Sequence, residues 1–280
     1  MQKILLTGSS GFIGQNLKRG LQNDYALLAP RHSELDLRDA EVVRAFFAEN
    51  TVDFIIHCGS TGGARGVQDA DTTITDNLSM VDHILSAKQA DTPVILFGSG
   101  AMYGKTRSLH KIKEDELGAY VPEDFYGKSK MMIAQNVKDR PDITCLNIFA
   151  CYGYGEKTSR FPSYAITQAI KGEDIVINKN AVFDYLWIDD LIRIIRRFIV
   201  NPPKQKLINV TPSQSCELRE IAETVKTICG KNISVICDKE LGPEYTGDNT
   251  RLLREFPELT FTSLREGLEK LYSFLKEEQE

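Results

Sequence analysis

The segment KILLTGSSGFIG at residues 3–14 constrains the fold more than any other stretch of this sequence. KILL has the length and composition of a buried strand, and helical periodicity begins directly after the glycines. Glycines let the backbone turn tightly and approach a diphosphate, while the following helix offers unpaired N–H groups and a positive dipole end. This context favours a dinucleotide site over a plain strand–helix turn. The residues expected at the diphosphate are Gly8, Ser10, Gly11, Phe12, Ile13 and Gly14.

Beyond this turn, short apolar runs alternate with segments of helical periodicity. Up to residue 150, the expected strands and helices are 13–22 (helix), 25–29 (strand), 39–50 (helix), 53–58 (strand), 73–90 (helix), 93–98 (strand) and 143–149 (strand). Alternating strands and helices require crossover connections, which bury a parallel sheet on both faces. The predicted fold class is therefore α/β, a Rossmann-type doubly wound parallel sheet.

The alternation of strands and helices becomes less regular after residue 150. The elements expected there are helices at 163–171, 189–200, 217–229 and 263–277, and short strands at 174–177, 183–187 and 207–210. No repeat or low-complexity linker separates these elements from the first part of the chain. We therefore expect the two parts to pack against each other. The prediction is a dinucleotide-binding Rossmann domain over 1–150 and a smaller mixed α/β, mainly substrate-binding part over 151–280. Residues 180–210 are expected to return to the Rossmann core.

Charge, hydropathy and cysteine spacing argue against a nucleic-acid-binding, membrane or metal-binding protein. The net charge is −5 with no basic block, which argues against nucleic acid or an anionic membrane as partner. No apolar run reaches the roughly 18 residues that span a bilayer, and the N-terminus enters a strand directly rather than a signal peptide. The six cysteines have no metal-ligand spacing, so we expect reduced packing residues, no metal and a cytoplasmic protein.

The end of the second strand indicates which dinucleotide binds. A site for NAD usually has an acidic residue there, whereas this chain reads ALLAPRHSELDLRD, with Arg31 near that position. An arginine can neutralise a 2′-phosphate through paired hydrogen bonds, although a solvated surface arginine is the alternative. NADP(H) is therefore favoured, with NAD(H) as the second choice. Asp36 and Leu37 are expected to flank the adenine.

Two further motifs supply a serine, a tyrosine and a lysine. FGSGAMYG at 97–104 ends a predicted strand with Ser99, and YGKSK at 126–130 puts Tyr126 and Lys130 on one face of a helix. A free phenol is a poor acid at neutral pH, and a nearby cation stabilises its anion. A chance Tyr–Lys pair is the alternative, but the order downstream of a dinucleotide turn favours a proton donor aimed at a carbonyl or alcohol. The dinucleotide would supply the hydride.

The motifs TGSSGFIG, DFIIHCGS, FGSGAMYG, YGKSK and FDYLWIDD resemble those of the extended short-chain dehydrogenases/reductases, the NAD-dependent epimerase/dehydratase family. Within it, residues 30–63 are most similar to GDP-fucose synthase and related 4-keto sugar-nucleotide reductases. The resemblance implies that Ser99, Tyr126 and Lys130 are catalytic. It also implies that Lys130 holds the nicotinamide ribose and that Arg31 contacts the NADPH phosphate. It adds to the cofactor site the residues Cys58, Gly59, Ser60 and Phe149.

Three departures from the family pattern concern the substrate. Ala101 stands where GDP-fucose synthases carry the cysteine used for epimerisation, and the stretch that supplies their histidine here contains Arg160. Because arginine stays protonated and is a poor general acid, we expect simple ketone reduction. Phe183 stands where many relatives have a phosphate-binding arginine, so other cations bind the diphosphate, or the substrate lacks one, or Phe183 only packs. The residues expected near substrate are Thr61, Ala101, Met102, Lys157, Arg160, Phe183 and Arg251.

These features favour an NADPH-dependent oxidoreductase that reduces the 4-keto group of a nucleotide-linked (deoxy)sugar, as in carbohydrate biosynthesis. An NAD-dependent sugar-nucleotide 4-epimerase is the alternative, because the same residues can oxidise and then reduce C4. A non-catalytic dinucleotide-sensing scaffold is a third hypothesis, disfavoured because both the tyrosine and the lysine are present. The resemblance also implies a homodimer, with the helices at 72–90 and 126–138 as the candidate contact.

Overall fold

The computed structural model describes residues 1–64, 66–237 and 240–278. The strands are β1 Lys3–Thr7, β2 Ala26–Leu28, β3 Phe54–His57, β4 Val94–Ser99, β5 Leu109–Ile112, β6 Ile143–Ile148, β7 Ala150–Tyr152, β8 Ile175–Ile177, β9 Val182–Phe183, β10 Tyr185–Trp187, β11 Leu207–Val210, β12 Cys216–Glu217, β13 Val235–Cys237 and β14 Tyr245–Gly247. The helices are α1 Phe12–Leu21, α2 Ala40–Glu49, α3 Thr73–Ala87, α4 Phe125–Val137, α5 Phe161–Lys171, α6 Ile188–Val200, α7 Leu218–Cys229, α8 Thr250–Glu255 and α9 Leu264–Glu277.

The main sheet is parallel throughout and has the strand order β11–β6–β4–β3–β1–β2. β2 lies on one side of β1 and β3 on the other, so the chain reverses its direction of growth between β1 and β3. Open α/β sheets bind their ligands at the carboxyl ends of strands at such a switch point. The predicted α/β fold class with a doubly wound parallel sheet is confirmed.

Alternation along the strands divides the core between the two faces of the sheet. In β1, Ile4 and Leu6 belong to one buried cluster and Leu5 to the other, as the two-residue period of a strand requires. α1 packs against α6 near the first face, while α2, α3 and α4 pack side by side near the second. Apolar side chains on both faces explain why these strands read as near-continuous hydrophobic runs.

The second part of the chain contributes to the main sheet and also forms smaller ones. β11 joins the main sheet beside β6, whereas β12, β9 and β14 form a separate four-stranded sheet together with β5 of the first part. α5, α7 and α9 pack against one another. The division of the chain near residue 150 stays a prediction.

The prediction of one strand at 183–187 is wrong. Phe183 belongs to β9, which pairs antiparallel with β12, and Tyr185 begins β10, which pairs parallel with β7. The chain changes sheets at Asp184, whose fully buried carboxylate accepts hydrogen bonds from the Gly247 backbone at 2.8 Å and from Ser215 Oγ at 2.6 Å. These bonds compensate for the desolvation of the charged group and fix the break.

Among the helices in the described part of the chain, none has both the length and the apolar character needed to cross a bilayer.

Candidate active site

The glycine turn forms a close-packed cradle at the carboxyl end of β1. Gly8 has a φ of +71°, and a Cβ there would lie 2.5 Å from the backbone nitrogen of Gly59 in the loop after β3. A Cβ on Gly14 would lie 2.1 Å from the carbonyl oxygen of Gly8. Both distances are far below van der Waals contact, so the turn can approach the loop after β3 and the start of α1 only without side chains at these two positions. The cradle therefore fits a bound diphosphate, which needs close backbone approach.

The first turn of α1 has the electrostatics that an anion requires. Gly11 is its N-cap residue, and no side chain caps the helix there. Ser10 and Gly11 are exposed and Phe12 and Ile13 half-buried. A cavity lies next to this turn. The backbone N–H groups of the turn face that cavity at the positive end of the helix dipole. Gly8, Gly11, Phe12, Ile13 and Gly14 all line that cavity.

The loop after β2 carries two arginines. Arg31 is exposed, and its backbone N–H donates to Glu34 Oε2 at 2.6 Å, which tightens the loop. Arg38, which sequence analysis did not single out, donates to both carboxylate oxygens of Asp36 at 3.0 and 2.9 Å. These bonds lower the pKa of Asp36 to about 2. Leu37 is buried and lies near Gly59. Of the predicted adenosine-side residues, Arg31 thus lies exposed in the loop after β2, and Leu37 packs near the loop after β3.

The loop after β3 is tied to two helices. Cys58 and Ser60 line the cavity. Thr61 lies behind them, because its backbone N–H donates to Asn77 Oδ1 at 2.8 Å and its carbonyl accepts from Asn77 Nδ2 at 3.0 Å. Asn77 also donates to Ser129 Oγ in α4 at 2.9 Å. One buried amide thus connects the cofactor loop, α3 and the helix that carries Tyr126 and Lys130.

Ser99, Tyr126 and Lys130 converge on one cavity of about 1090 Å³ that also contains the glycine turn. Ser99 ends β4, and its Oγ accepts a hydrogen bond from the Ala101 backbone at 3.2 Å. Lys130 is buried, and its Nζ donates to the Phe97 carbonyl oxygen at 2.7 Å and lies 5.6 Å from the centroid of the Tyr126 ring. β4 and α4 therefore hold a hydroxyl, a phenol and an ammonium together.

Asp69 places the tyrosine and was missed by sequence analysis. Its two carboxylate oxygens accept from the backbone N–H groups of Gly63, at 2.7 Å, and of Tyr126, at 2.8 Å. Asp124 caps α4 by accepting from the Gly127 backbone at 2.9 Å. Two carboxylates thus accept hydrogen bonds from backbone N–H groups at the N-terminus of α4, where negative charge is favourable. They fix the first turn, and hence Tyr126, against the loop after β3.

The substrate side of the cavity is aromatic near the serine and charged further out. The Tyr245 ring centroid lies 5.3 Å from that of Phe149 and 5.9 Å from that of Phe183. Tyr245, from β14, was not singled out in the sequence. Ala101, Lys157 and Arg160 also line the cavity, as does Lys179, another cation not anticipated.

Three of the expected substrate residues lie elsewhere: Thr61 of the loop after β3, hydrogen-bonded to Asn77, and Met102 and Arg251. Met102 is fully buried and packs in the core on the α4 side of the sheet. Arg251 forms ion pairs with Glu114 and Asp115 and donates to the Leu207 carbonyl oxygen. In the described part of the chain, none of the three lines the cavity. The Arg251 guanidinium thus balances the charge of the buried Glu114 near β11. The sequence contains no signal for this ion pair.

A buried carboxyl group, Glu156, was also missed. Glu156 accepts a hydrogen bond from Ser163 Oγ at 2.8 Å, and its other oxygen lies 3.6 Å from Arg160 Nε. Burial raises the pKa of Glu156 to about 7, against the opposite effects of Ser163 and Arg160. Glu156 lines the cavity and lies behind Arg160, the N-cap residue of α5. No group of three or more metal-ligating side chains occurs within residues 1–64, 66–237 and 240–278.

Comparisons with known proteins place this geometry in a family. The profile of the NAD dependent epimerase/dehydratase family matches residues 4–211. The ADP-L-glycero-D-manno-heptose-6-epimerase of Brachyspira hyodysenteriae is 26% identical over 261 residues, 80% of each chain. The GDP-L-fucose synthase of Escherichia coli is 25% identical over 319 residues, 100% of this chain and 98% of its own.

Solved structures share the fold. The GDP-mannoheptose C4 reductase MlghC from Campylobacter jejuni, with NADP bound, has a TM-score of 0.83 at 19% identity, covering 98% of both chains. The family profile matches most of the chain, and three structural features agree with this match. They are the glycine turn, the strand order of the main sheet, and the meeting of the serine, tyrosine and lysine in one cavity. This chain belongs to the NAD dependent epimerase/dehydratase family.

Proposed function

We propose that this protein reduces the 4-keto group of a nucleotide-linked (deoxy)sugar with NADPH. The observation that carries the proposal is the meeting of Ser99, Tyr126 and Lys130 with the glycine cradle in one cavity. The full-length similarity to a GDP-L-fucose synthase and the fold shared with an NADP-bound C4 reductase support the same reaction class.

The residues that would hold the dinucleotide follow the cavity from the glycine turn to Lys130. The N-terminus of α1 would face the diphosphate, and the exposed Arg31 in the loop after β2 would supply positive charge for a 2′-phosphate. Phe149, which lines the cavity, provides an apolar surface beside the serine. When bound, NADPH supplies a hydride to the substrate carbonyl carbon.

Tyr126 and Ser99 act on the carbonyl oxygen of the substrate. Ser99 donates a hydrogen bond that polarises the ketone, and the Tyr126 hydroxyl transfers its proton to the oxygen as the alcohol forms. The Lys130 ammonium, fixed by the Phe97 carbonyl, favours the phenolate that remains. The product is a secondary alcohol, and solvent returns the proton to Tyr126.

Ala101 argues against epimerisation at the carbon next to the ketone. It lies in the cavity two residues after Ser99 and has no ionisable group. Deprotonation of the carbon next to the ketone would need a base at this position, and alanine cannot serve. The outer part of the cavity offers Lys157, Arg160 and Lys179 to the substrate diphosphate.

The test is consumption of NADPH with a panel of 4-keto sugar nucleotides that differ in base and sugar. We expect loss of absorbance at the reduced nicotinamide band with at least one member, and a product whose C4 carries a deuterium when deuterated NADPH is used. A panel that leaves NADPH unchanged, with intact cofactor binding, would contradict the proposal.

A sugar-nucleotide 4-epimerase is the second candidate function. The similarity to a UDP-glucose 4-epimerase across half of the chain favours it, and the same serine, tyrosine and lysine could oxidise and then reduce C4. The cofactor on the freshly purified protein separates the two. Tightly retained NAD⁺ would favour the epimerase, and exchangeable NADP(H) the reductase.

The reductase is further expected to be a cytoplasmic homodimer. α3 and α4 lie side by side, and Leu78, Leu85 and Ile133 line a shallow groove between them. Two such helix pairs would form a four-helix contact across a twofold axis. Light scattering at micromolar concentration should give twice the chain mass, and a concentration-independent monomer would exclude the contact.

A further inference from the structure

A second phenol, that of Tyr245, lies at the serine of the proposed catalytic set. The ring is half-buried and is fixed by Phe149 at 5.3 Å and Phe183 at 5.9 Å between centroids. β14 carries it, between β9 and β5. Tilted contacts with two aromatic neighbours, at interplanar angles of 55° and 52°, restrict the ring to one orientation, so its hydroxyl has a defined position in the cavity wall.

The hydroxyl of Tyr245 is aimed at the backbone just after β4. Its oxygen lies 2.6 Å from the point where a Cβ on Gly100 would be, so only glycine at 100 allows this approach. Ser99 is the neighbour of Gly100 in the chain, so the Tyr245 hydroxyl lies beside the residue that carries the Ser99 hydroxyl. Burial raises the pKa of Tyr245 against the opposite effect of the nearby Ser99 hydroxyl and, more weakly, of Arg160. Tyr245 therefore keeps its proton and is available as a donor.

The hydrogen bonds of Ser99 leave one direction for its own proton. A serine hydroxyl donates once and accepts at two lone pairs. The Ala101 backbone N–H occupies one lone pair at 3.2 Å. If the Tyr245 hydroxyl donates to the other, the Ser99 proton has only the open cavity left. A substrate carbonyl oxygen placed there is the acceptor.

We infer that Tyr245 is a positioning residue, which donates to Ser99 Oγ and thereby aims the Ser99 proton at the substrate carbonyl oxygen. This inference rests on the proposed reductase function for its kinetic consequence. The contact between the two hydroxyls does not depend on that function. No electron or proton is transferred between the two residues, because Tyr245 only orients the hydroxyl of Ser99.

The test is a double-mutant cycle of Tyr245→Phe and Ser99→Ala, which leaves the aromatic packing in place. We expect Tyr245→Phe alone to lower kcat about tenfold with KM and the NADPH dissociation constant within about twofold. In the Ser99→Ala background the same change should lower kcat less than about twofold, since Tyr245 acts through the serine. Equal losses in the two backgrounds, or an unchanged kcat for Tyr245→Phe, would overturn the inference.

Tyr103→Phe is the matched control. Tyr103 stacks on the same Phe149 at 6.2 Å, but its hydroxyl donates to Asn209 at 2.9 Å in the core. This variant should lose stability and keep kcat. The same four proteins of the cycle, unfolded in urea, give a readout without turnover. Their midpoints should be non-additive, and additive midpoints would overturn the contact. A wild-type protein that reduces no keto sugar nucleotide would refute the proposed function alone, leaving the urea cycle to decide the inference.

Discussion

The two walls of the cavity are built in different ways. The cofactor wall consists of short motifs, 8–14 after β1, 58–60 after β3 and 126–130 on α4, whose neighbours in sequence are also neighbours in space. The substrate wall collects single side chains from distant segments, Arg160, Phe183 and Tyr245. Backbone geometry defines the first wall and tertiary packing the second. Changes in the first should act on cofactor binding, and changes in the second on substrate or on stability.

The largest effect is expected for Gly14→Ala in the cofactor wall. Its Cβ would lie 2.1 Å from the Gly8 carbonyl oxygen, and both sides of this contact are backbone. The turn must open, so NADPH should bind at least about a thousandfold more weakly by titration calorimetry, about 4 kcal/mol. Gly20→Ala is the control at the other end of α1, where the new methyl meets only the Ile192 side chain. Wild-type affinity in Gly14→Ala would mean that the cradle does not bind the cofactor.

The next effect concerns Glu156 behind the substrate wall. An unfolded glutamate ionises near pH 4.5, whereas burial raises the pKa of Glu156 to about 7 in the fold. Between these values the folded protein binds more protons, so this carboxyl costs stability progressively as the pH rises, up to about 3 kcal/mol above pH 7. Glu156→Gln should remove that dependence while keeping a partner for Ser163.

The measurement is the free energy of unfolding in urea at pH 5 and pH 8. The wild type should lose more stability over this interval than Glu156→Gln does. Glu223→Gln, on an exposed face of α7, is the control and should change in parallel with the wild type. A Glu156→Gln curve parallel to that of the wild type would mean that the buried carboxyl is not held protonated.

The smallest effect is expected for Arg160→Met. Arg160 is half-exposed at the outer end of the cavity, so its attraction for a diphosphate is partly screened by water. KM for the sugar nucleotide should rise about tenfold, with kcat and the NADPH dissociation constant within about twofold. Arg254→Met, on an exposed position of α8, controls for loss of a surface charge. A weakened NADPH affinity in Arg160→Met would break the separation of the two walls.

The same difference between the cofactor wall and the substrate wall explains which site residues could be predicted from the sequence. The glycine turn, Ser99 and the Tyr126–Lys130 pair were recognisable because each occupies a few consecutive residues next to a strand or helix. Strand and helix periodicity predicted the main sheet, since its strands are buried on both faces.

The remaining features depend on partners far along the chain. Asp69 was missed because its value lies in a bond to Tyr126, 57 residues away. Tyr245 was missed for the same reason, as its hydroxyl lies against Gly100, far along the chain and after a strand of another sheet. Arg251 was expected near substrate, but packing pairs it with Glu114. A single sequence contains no signal for such pairings.

The most direct test of the central claim is Tyr126→Phe, which removes one hydroxyl and keeps the ring. With the keto sugar nucleotide that the wild type reduces best, single-turnover reduction should slow at least about a thousandfold, about 4 kcal/mol of barrier. The NADPH dissociation constant should stay within about twofold, because the glycine cradle is untouched. A variant that reduces the ketone at the wild-type rate would contradict the assignment of Tyr126 as proton donor.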